Sequence, residues 1–181
     1  FGRTYRQSLA GAWGIADVED SQSAIEYLAA EKKIDAQRCI IRGGSAGGYT
    51  VLSALTFTDT FKAGASLYGI GDLETLATDT HKFESRYLET CIAPYATHPE
   101  RYEELSPINH VEKITSPMQF FQGLKDKVVQ PNQTTGIVEK LKQKGISISI
   151  LAKGKLRMVT HLDYRQVMHE YVLENLEKLS F

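Results

Sequence analysis

The feature that most restricts the fold is a junction. Residues 38 to 50 read Arg-Cys-Ile-Ile-Arg-Gly-Gly-Ser-Ala-Gly-Gly-Tyr-Thr, a short apolar run that enters four glycines with Ser45 in their middle. Arg38 to Arg42 reads as a short buried strand. Val51, Leu52 and Leu55 fall at helical spacing directly after the glycines, and Ala63 to Tyr68 forms a second small, apolar strand that ends at Gly69. Strand, helix, strand in that order requires a parallel pair joined by a crossover.

The rest of the chain extends the same alternation. Val18, Ile25, Leu28 and Ala29 share one face of a helix expected over 17 to 33, with Asp20 and Ser21 as candidate caps. Residues 70 to 110 carry Pro94, Pro99 and Pro107 and read as short helices and loops, a place for a binding surface. Met118 to Phe121 is a third strand; Ile137, Val138 and Leu141 mark a helix that Gly145 closes. Ile146, Ile148 and Ile150 alternate with serines as a half-exposed edge strand would, and a final helix carries Tyr164, Val167, Met168, Tyr171, Val172, Leu176 and Leu179. The expected class is α/β, with parallel strands and helices on both faces.

Three readings compete for Gly43-Gly44-Ser45-Ala46-Gly47-Gly48. A phosphate-binding P-loop needs Lys after its last glycine, where this chain has Tyr49, and a dinucleotide loop needs glycine at the position held by Ser45. Glycines that merely allow tight packing are the bland account. The third reading is a nucleophile elbow, Gly-x-Ser-x-Gly, whose strained turn exposes the serine hydroxyl and aims the N–H of Ala46 at a developing oxyanion.

A serine hydroxyl needs a base, and the base needs a carboxylate to orient it. With such an elbow the acid follows a later strand and the histidine follows the last one. Asp126 leaves the strand at Met118 to Phe121 and fits the acid; a simple turn aspartate is the alternative. His81, His98 and His110 precede Asp126 and have the wrong order. His161 lies between the strand at 146 to 150 and the last helix, where the base belongs, whereas His169 lies within that helix.

Composition narrows the partners. The 181 residues carry 21 basic and 22 acidic side chains, a formal charge of −1, with no run of like charge to suit nucleic acid or a membrane surface. No stretch approaches the roughly 18 apolar residues of a membrane span. Cys39 and Cys91 are too few for a disulfide framework; Cys39 reads as a buried reduced thiol, which points to the cytoplasm. Serine chemistry of this kind needs no metal and no organic cofactor.

Gly2-Arg3, Gly11-Ala12-Trp13-Gly14, Asp17-Val18-Glu19-Asp20, Gly43 through Tyr49, Ser106-Pro107 and Gln122 through Val129 together resemble the catalytic domain of the prolyl oligopeptidase family. The branch nearest in character holds the acylaminoacyl and dipeptidyl peptidases. The resemblance runs from Phe1 to about Gly145 and implies an α/β-hydrolase fold, Ser45 as nucleophile, Asp126 as orienting acid and Ala46 N–H as one oxyanion donor. Family members usually hold the histidine in a Gly-His-Gly-Phe loop, whereas this chain reads Lys153-Gly154-Lys155-Leu156-Arg157-Met158-Val159-Thr160-His161. The histidine is either displaced to His161 by a longer loop or absent. The other oxyanion donor of the family is usually a tyrosine on a strand that would precede Gly2, as would a β-propeller. Residues 1–181 are therefore expected to be one partial catalytic domain, with the strand that carries Ser45 at an unpaired edge. The expected activity is hydrolysis of peptide or acyl-aminoacyl bonds; an esterase or lipase, and a hydrolase fold that binds without catalysis, are the rivals.

Overall fold

The computed structural model describes residues 2–79 and 87–144, together with a two-residue strand at 156–157. In chain order the elements are α1 (Gly2–Gln7), α2 (Ala16–Ala30), β1 (Ile40–Gly44), α3 (Ala46–Phe57), β2 (Ala63–Leu67), α4 (Leu73–Asp79), α5 (Tyr87–Cys91), α6 (Pro99–Leu105), β3 (Met118–Gly123), α7 (Pro131–Gln143) and β4 (Leu156–Arg157), with short 3₁₀ turns between some of them. The sheet runs β1-β2-β3-β4. The first three strands are parallel, as the alternation requires, with Ile41, Gly64 and Met118 in one row and Gly43, Ser66 and Phe120 in another.

Helix α3 makes the sheet's core. It follows β1 with no intervening loop and buries Gly48, Tyr49 and Val51 through Thr56, so it is enclosed rather than amphipathic. Small residues in β2 let it come close: a Cβ on Gly64 would lie 2.3 Å from Leu55 Cδ1. Val51, Leu52 and Leu55 then pack with Met118 and Phe120 of β3 and with Ile137, Val138 and Leu141 of α7 in one apolar cluster. A second cluster gathers Trp13, Tyr49, Ile70, Leu73, Leu88 and Tyr102 beyond the other side of α3.

Several expectations change. Arg38 to Arg42 reads as a buried strand in sequence; β1 starts at Ile40, and that side chain is 71 % exposed. The physical reason is the face: Ile40 points to the side of β1 opposite Ile41, away from the layer of α3 and α7 against which Ile41 packs. Helix α2 stops at Ala30 rather than 33, where Lys32 takes a positive φ of 56°. Cys39 is only half-buried, while Cys91 is buried; both are free thiols. Strand β4 falls inside the segment read as a loop and pairs antiparallel with β3, Gln122 against Arg157. Among the described residues α3 and α7 share one face of the sheet, and residues of the opposite face, such as Ala65, Leu67 and Phe121, are half-exposed. The expected Gly145 cap, the strand at 146 to 150 and the final helix lie outside the described residues. Among the described residues no helix is long and apolar enough to cross a membrane.

Candidate active site

Ser45 has φ 55° and ψ −122°, a conformation that L side chains rarely adopt and that costs on the order of 1–3 kcal/mol. Backbone bonds on both sides hold it there. Its N–H donates to Leu67 O at 3.0 Å, which extends the β1–β2 ladder by one step, and its C=O accepts from Tyr49 N at 3.1 Å, which starts α3. Two glycines make the turn sterically possible. A Cβ on Gly43 would lie 2.3 Å from Gly47 O, and one on Gly48 would lie 2.5 Å from Gly69 Cα, both backbone atoms that cannot yield. Gly47 is different, since a Cβ there would meet nothing within 4 Å.

A serine at a helix N-cap ordinarily spends its oxygen on the first free N–H groups. Ser45 makes no such bond. Ser45 lines a cavity of about 160 Å³ together with Trp13, Ala46, Ile70, Tyr87, Leu88 and Val129, with Leu76 and Val128 completing the wall. Ala46 is the first residue of α3, so its N–H has no acceptor within the helix and adds to the positive end of the helix dipole.

The wall is built by long-range ties. Trp13 packs on Tyr49 with ring centroids 4.5 Å apart and on Tyr87 at 5.9 Å. Tyr49 is fully buried; its hydroxyl donates to Leu105 O at 3.0 Å, and burial pushes its ionisation well above the ordinary tyrosine range. Asp17 joins the wall to the nucleophile helix: Oδ1 accepts from Gly14 N at 2.6 Å and Oδ2 from Thr50 Oγ1 at 2.5 Å. The Cys91 thiol at the end of α5 is pushed up chiefly by burial.

Asp126 occupies the loop that leaves β3. Oδ1 accepts from Val128 N at 2.9 Å and Val129 N at 3.1 Å. The aspartate thus shapes its own turn, while Oδ2 takes no hydrogen bond among the described residues. Ser45 follows β1 and Asp126 follows β3, with β2 between them. Two strand spacings, roughly 10 Å, separate the two strand ends.

His161, the expected base, lies outside the described residues, as do His81, His169 and Phe83. The described histidines fit no catalytic role at Ser45. His98 pairs with Thr97 Oγ1 at 2.8 Å. His110 packs on Phe57, at the opposite end of α3 from Ser45. Of the aromatic residues between 68 and 102, Tyr87 lines the cavity, Tyr102 is core, and Tyr95 packs on Tyr102 and bonds Glu74. Sequence reasoning missed Trp13, Ile70, Leu88, Val128 and Val129 as wall residues. Trp13 left a signal, as the single tryptophan, set between Ala12 and Gly14; the aliphatic residues left none that separates a pocket wall from a core.

A sequence model of the prolyl oligopeptidase family matches residues 1–157. The chain belongs to that family. The acylamino-acid-releasing enzyme of Arabidopsis thaliana is 30% identical over 162 residues, which cover 83% of this chain and 21% of the relative. A solved puromycin-hydrolyzing peptidase of Mycobacterium tuberculosis is 45% identical, with a TM-score of 0.78, over 79% of this chain and 22% of that one. An acylaminoacyl peptidase of Pyrococcus horikoshii gives 27% and 0.74 over 85% and 26%. The chain spans about a fifth of the curated relative's length and a fifth to a quarter of those solved chains. The fold is the α/β-hydrolase fold these comparisons carry.

Proposed function

We propose that the protein is a serine peptidase that cleaves peptide or acyl-aminoacyl bonds through Ser45, Asp126 and His161. One observation carries the reading: Ser45 holds a strained backbone at a strand-to-helix turn, makes no cap bond with its hydroxyl, and lines a largely apolar cavity. Ser45 Oγ attacks the carbonyl carbon while His161 takes the hydroxyl proton, and the tetrahedral oxyanion forms beside the N–H of Ala46. His161 then protonates the departing amine, which leaves an acyl-enzyme on Ser45. Water, deprotonated by the same imidazole, releases the acid. Asp126 keeps the imidazole in the required tautomer and stabilises its charged form. The strand ends that carry Ser45 and Asp126 are separated by a gap that one imidazole with a hydrogen bond at each end can bridge.

The cavity supports an apolar acyl-side residue. At about 160 Å³ it matches the roughly 150 Å³ of an apolar protein cavity that accepts benzene. The 45%-identical relative hydrolyses puromycin, which holds an aromatic amino acid in an amide bond, and an aromatic acyl side chain would suit the wall around Ser45. Two free cysteines agree with a cytoplasmic setting.

A fluorophosphonate probe tests the nucleophile on the full-length protein. Labelling is expected for the wild type and lost in Ser45→Ala; equal labelling of both would refute the assignment. His161→Ala is expected to retain binding of substrate and to lose turnover by at least about a thousandfold. Faster turnover of simple esters than of aminoacyl anilides would favour an esterase, and a wild type that neither labels nor turns over would favour a binding module.

A further inference from the structure

The strand that leads to Asp126 ends on a residue type its position does not call for. Gln122 lies on the face of β3 that also carries Met118 and Phe120, and it is 2 % exposed. Alternation along a strand calls for an apolar side chain there. The amide is instead fully engaged. Nε2 donates to Val129 O at 3.1 Å and to Gly123 O at 3.3 Å, and Oε1 accepts from Thr134 Oγ1 of α7 at 2.9 Å.

Gly123 and Val129 are the two ends of the loop that presents Asp126. A single buried amide therefore clasps the loop at both ends and ties it to α7. Within the clasp, Asp126 Oδ1 accepts from Val128 N and Val129 N, and Asp126 N donates to Gly123 O at 3.2 Å. Val129 is consequently fixed on both sides, its N–H by Asp126 and its C=O by Gln122. The carboxylate's place relative to the sheet follows from these bonds, together with the packing of Val129 in the cluster around Trp13 and the bond from Gln133 N to Gln130 O at the start of α7.

We infer that Gln122 is a positioning residue for Asp126, held in turn by Thr134. It touches no reacting atom and acts by keeping the carboxylate where an imidazole bonded to Ser45 can reach it. A methionine or leucine would fill the same space in a core of this kind, but it would leave the loop ends unclasped. This role rests on the proposed reading of Asp126 as the orienting acid.

A double-mutant cycle on the full-length protein, with an aminoacyl anilide as substrate, separates positioning from mere packing. Asp126→Asn keeps the Oδ1 acceptor that shapes the loop and removes the charge. Gln122→Met alone is expected to lower kcat/KM by roughly tenfold or more, since a misplacement near 1 Å can cost about a hundredfold. In the Asp126→Asn background the same change is expected to cost less than about twofold, because the group it positions is already disabled. The acidic limb of the pH profile of kcat/KM should move down in Gln122→Met, toward its place in Asp126→Asn, as the imidazolium loses its counter-charge. Thr134→Val should act in the same direction with a smaller effect, and it carries the same cycle if Gln122→Met does not fold. Equal losses in both backgrounds, or an unchanged rate and pH profile in Gln122→Met and Thr134→Val, would overturn the positioning role. A wild-type rate in Asp126→Asn would overturn the acid assignment itself, and this role with it.

Discussion

At the scale of single residues, the four glycines around Ser45 do different work although the sequence writes them alike. Gly43 and Gly48 are demanded by backbone atoms that a Cβ would meet at 2.3 and 2.5 Å, whereas Gly47 faces open space. Alanine substitutions should sort accordingly in chemical denaturation. Gly43→Ala and Gly48→Ala should destabilise by several kcal/mol or prevent folding, because an overpacked contact with backbone costs about 1–3 kcal/mol even where neighbours can move. Gly47→Ala should be neutral or stabilise by up to about 1 kcal/mol, since alanine is the better helix former. Similar losses at all three positions would show that the turn needs glycine for its backbone freedom and not for space. The sequence made the turn and its serine legible because both rest on local chemistry, glycine at fixed offsets from one hydroxyl. It could not rank the glycines, since the atoms that Gly48 avoids belong to Gly69, beyond α3 and β2.

At the scale of elements, the strand and helix order was readable from apolar periodicity, and it placed β1, α3, β2, β3 and α7 within a few residues. Exposure was harder to read, because it depends on neighbours. Ile40 and Ile41 look alike in sequence, yet they lie on opposite faces of β1, and one is largely exposed while the other packs against the core. The tie between α2 and α3 was equally hidden. Asp17 belongs to the quoted Asp-Val-Glu-Asp stretch, but only the fold brings it to Thr50, one turn along α3 from Ala46. Its carboxylate links the turn that carries Trp13 with the helix that presents the oxyanion donor. Asp17→Ala leaves the N–H of Gly14 without its acceptor and the hydroxyl of Thr50 with only the longer bond to Ala46 O at 3.3 Å, which should cost about 1–3 kcal/mol. Thr50→Val should cost less. The double variant should fall short of the sum, as expected for two groups that share one bond. Additive losses in denaturant titrations would mean that Asp17 and Thr50 act independently and that α2 and α3 are held by apolar contact alone.

At the scale of the whole molecule, α3 stands between two apolar clusters with separate tasks. The cluster with Val51, Leu52, Phe120 and Ile137 fills the space between sheet and helices and lines no part of the Ser45 cavity. The other supplies Trp13, Ile70, Leu88 and Val129 to the cavity wall. Stability and specificity should therefore separate by cluster. Ile137→Ala removes a fully buried side chain and should cost about 2–5 kcal/mol in denaturation. At temperatures where it remains folded, its KM for a series of acyl-side residues should match the wild type. Leu88→Ala removes comparable volume from the second cluster, so it should lower stability and also enlarge the cavity. Its preference should shift toward bulkier acyl-side residues, read as a rise in kcat/KM for aromatic over small aliphatic anilides. The contrast follows from the place of the clusters, since close packing transmits a lost methylene mainly to the atoms that touched it. A change in side-chain preference in Ile137→Ala as large as that in Leu88→Ala would mean that the strained turn at Ser45 reports on both cores through α3, and that the cavity cannot be redesigned independently of the fold.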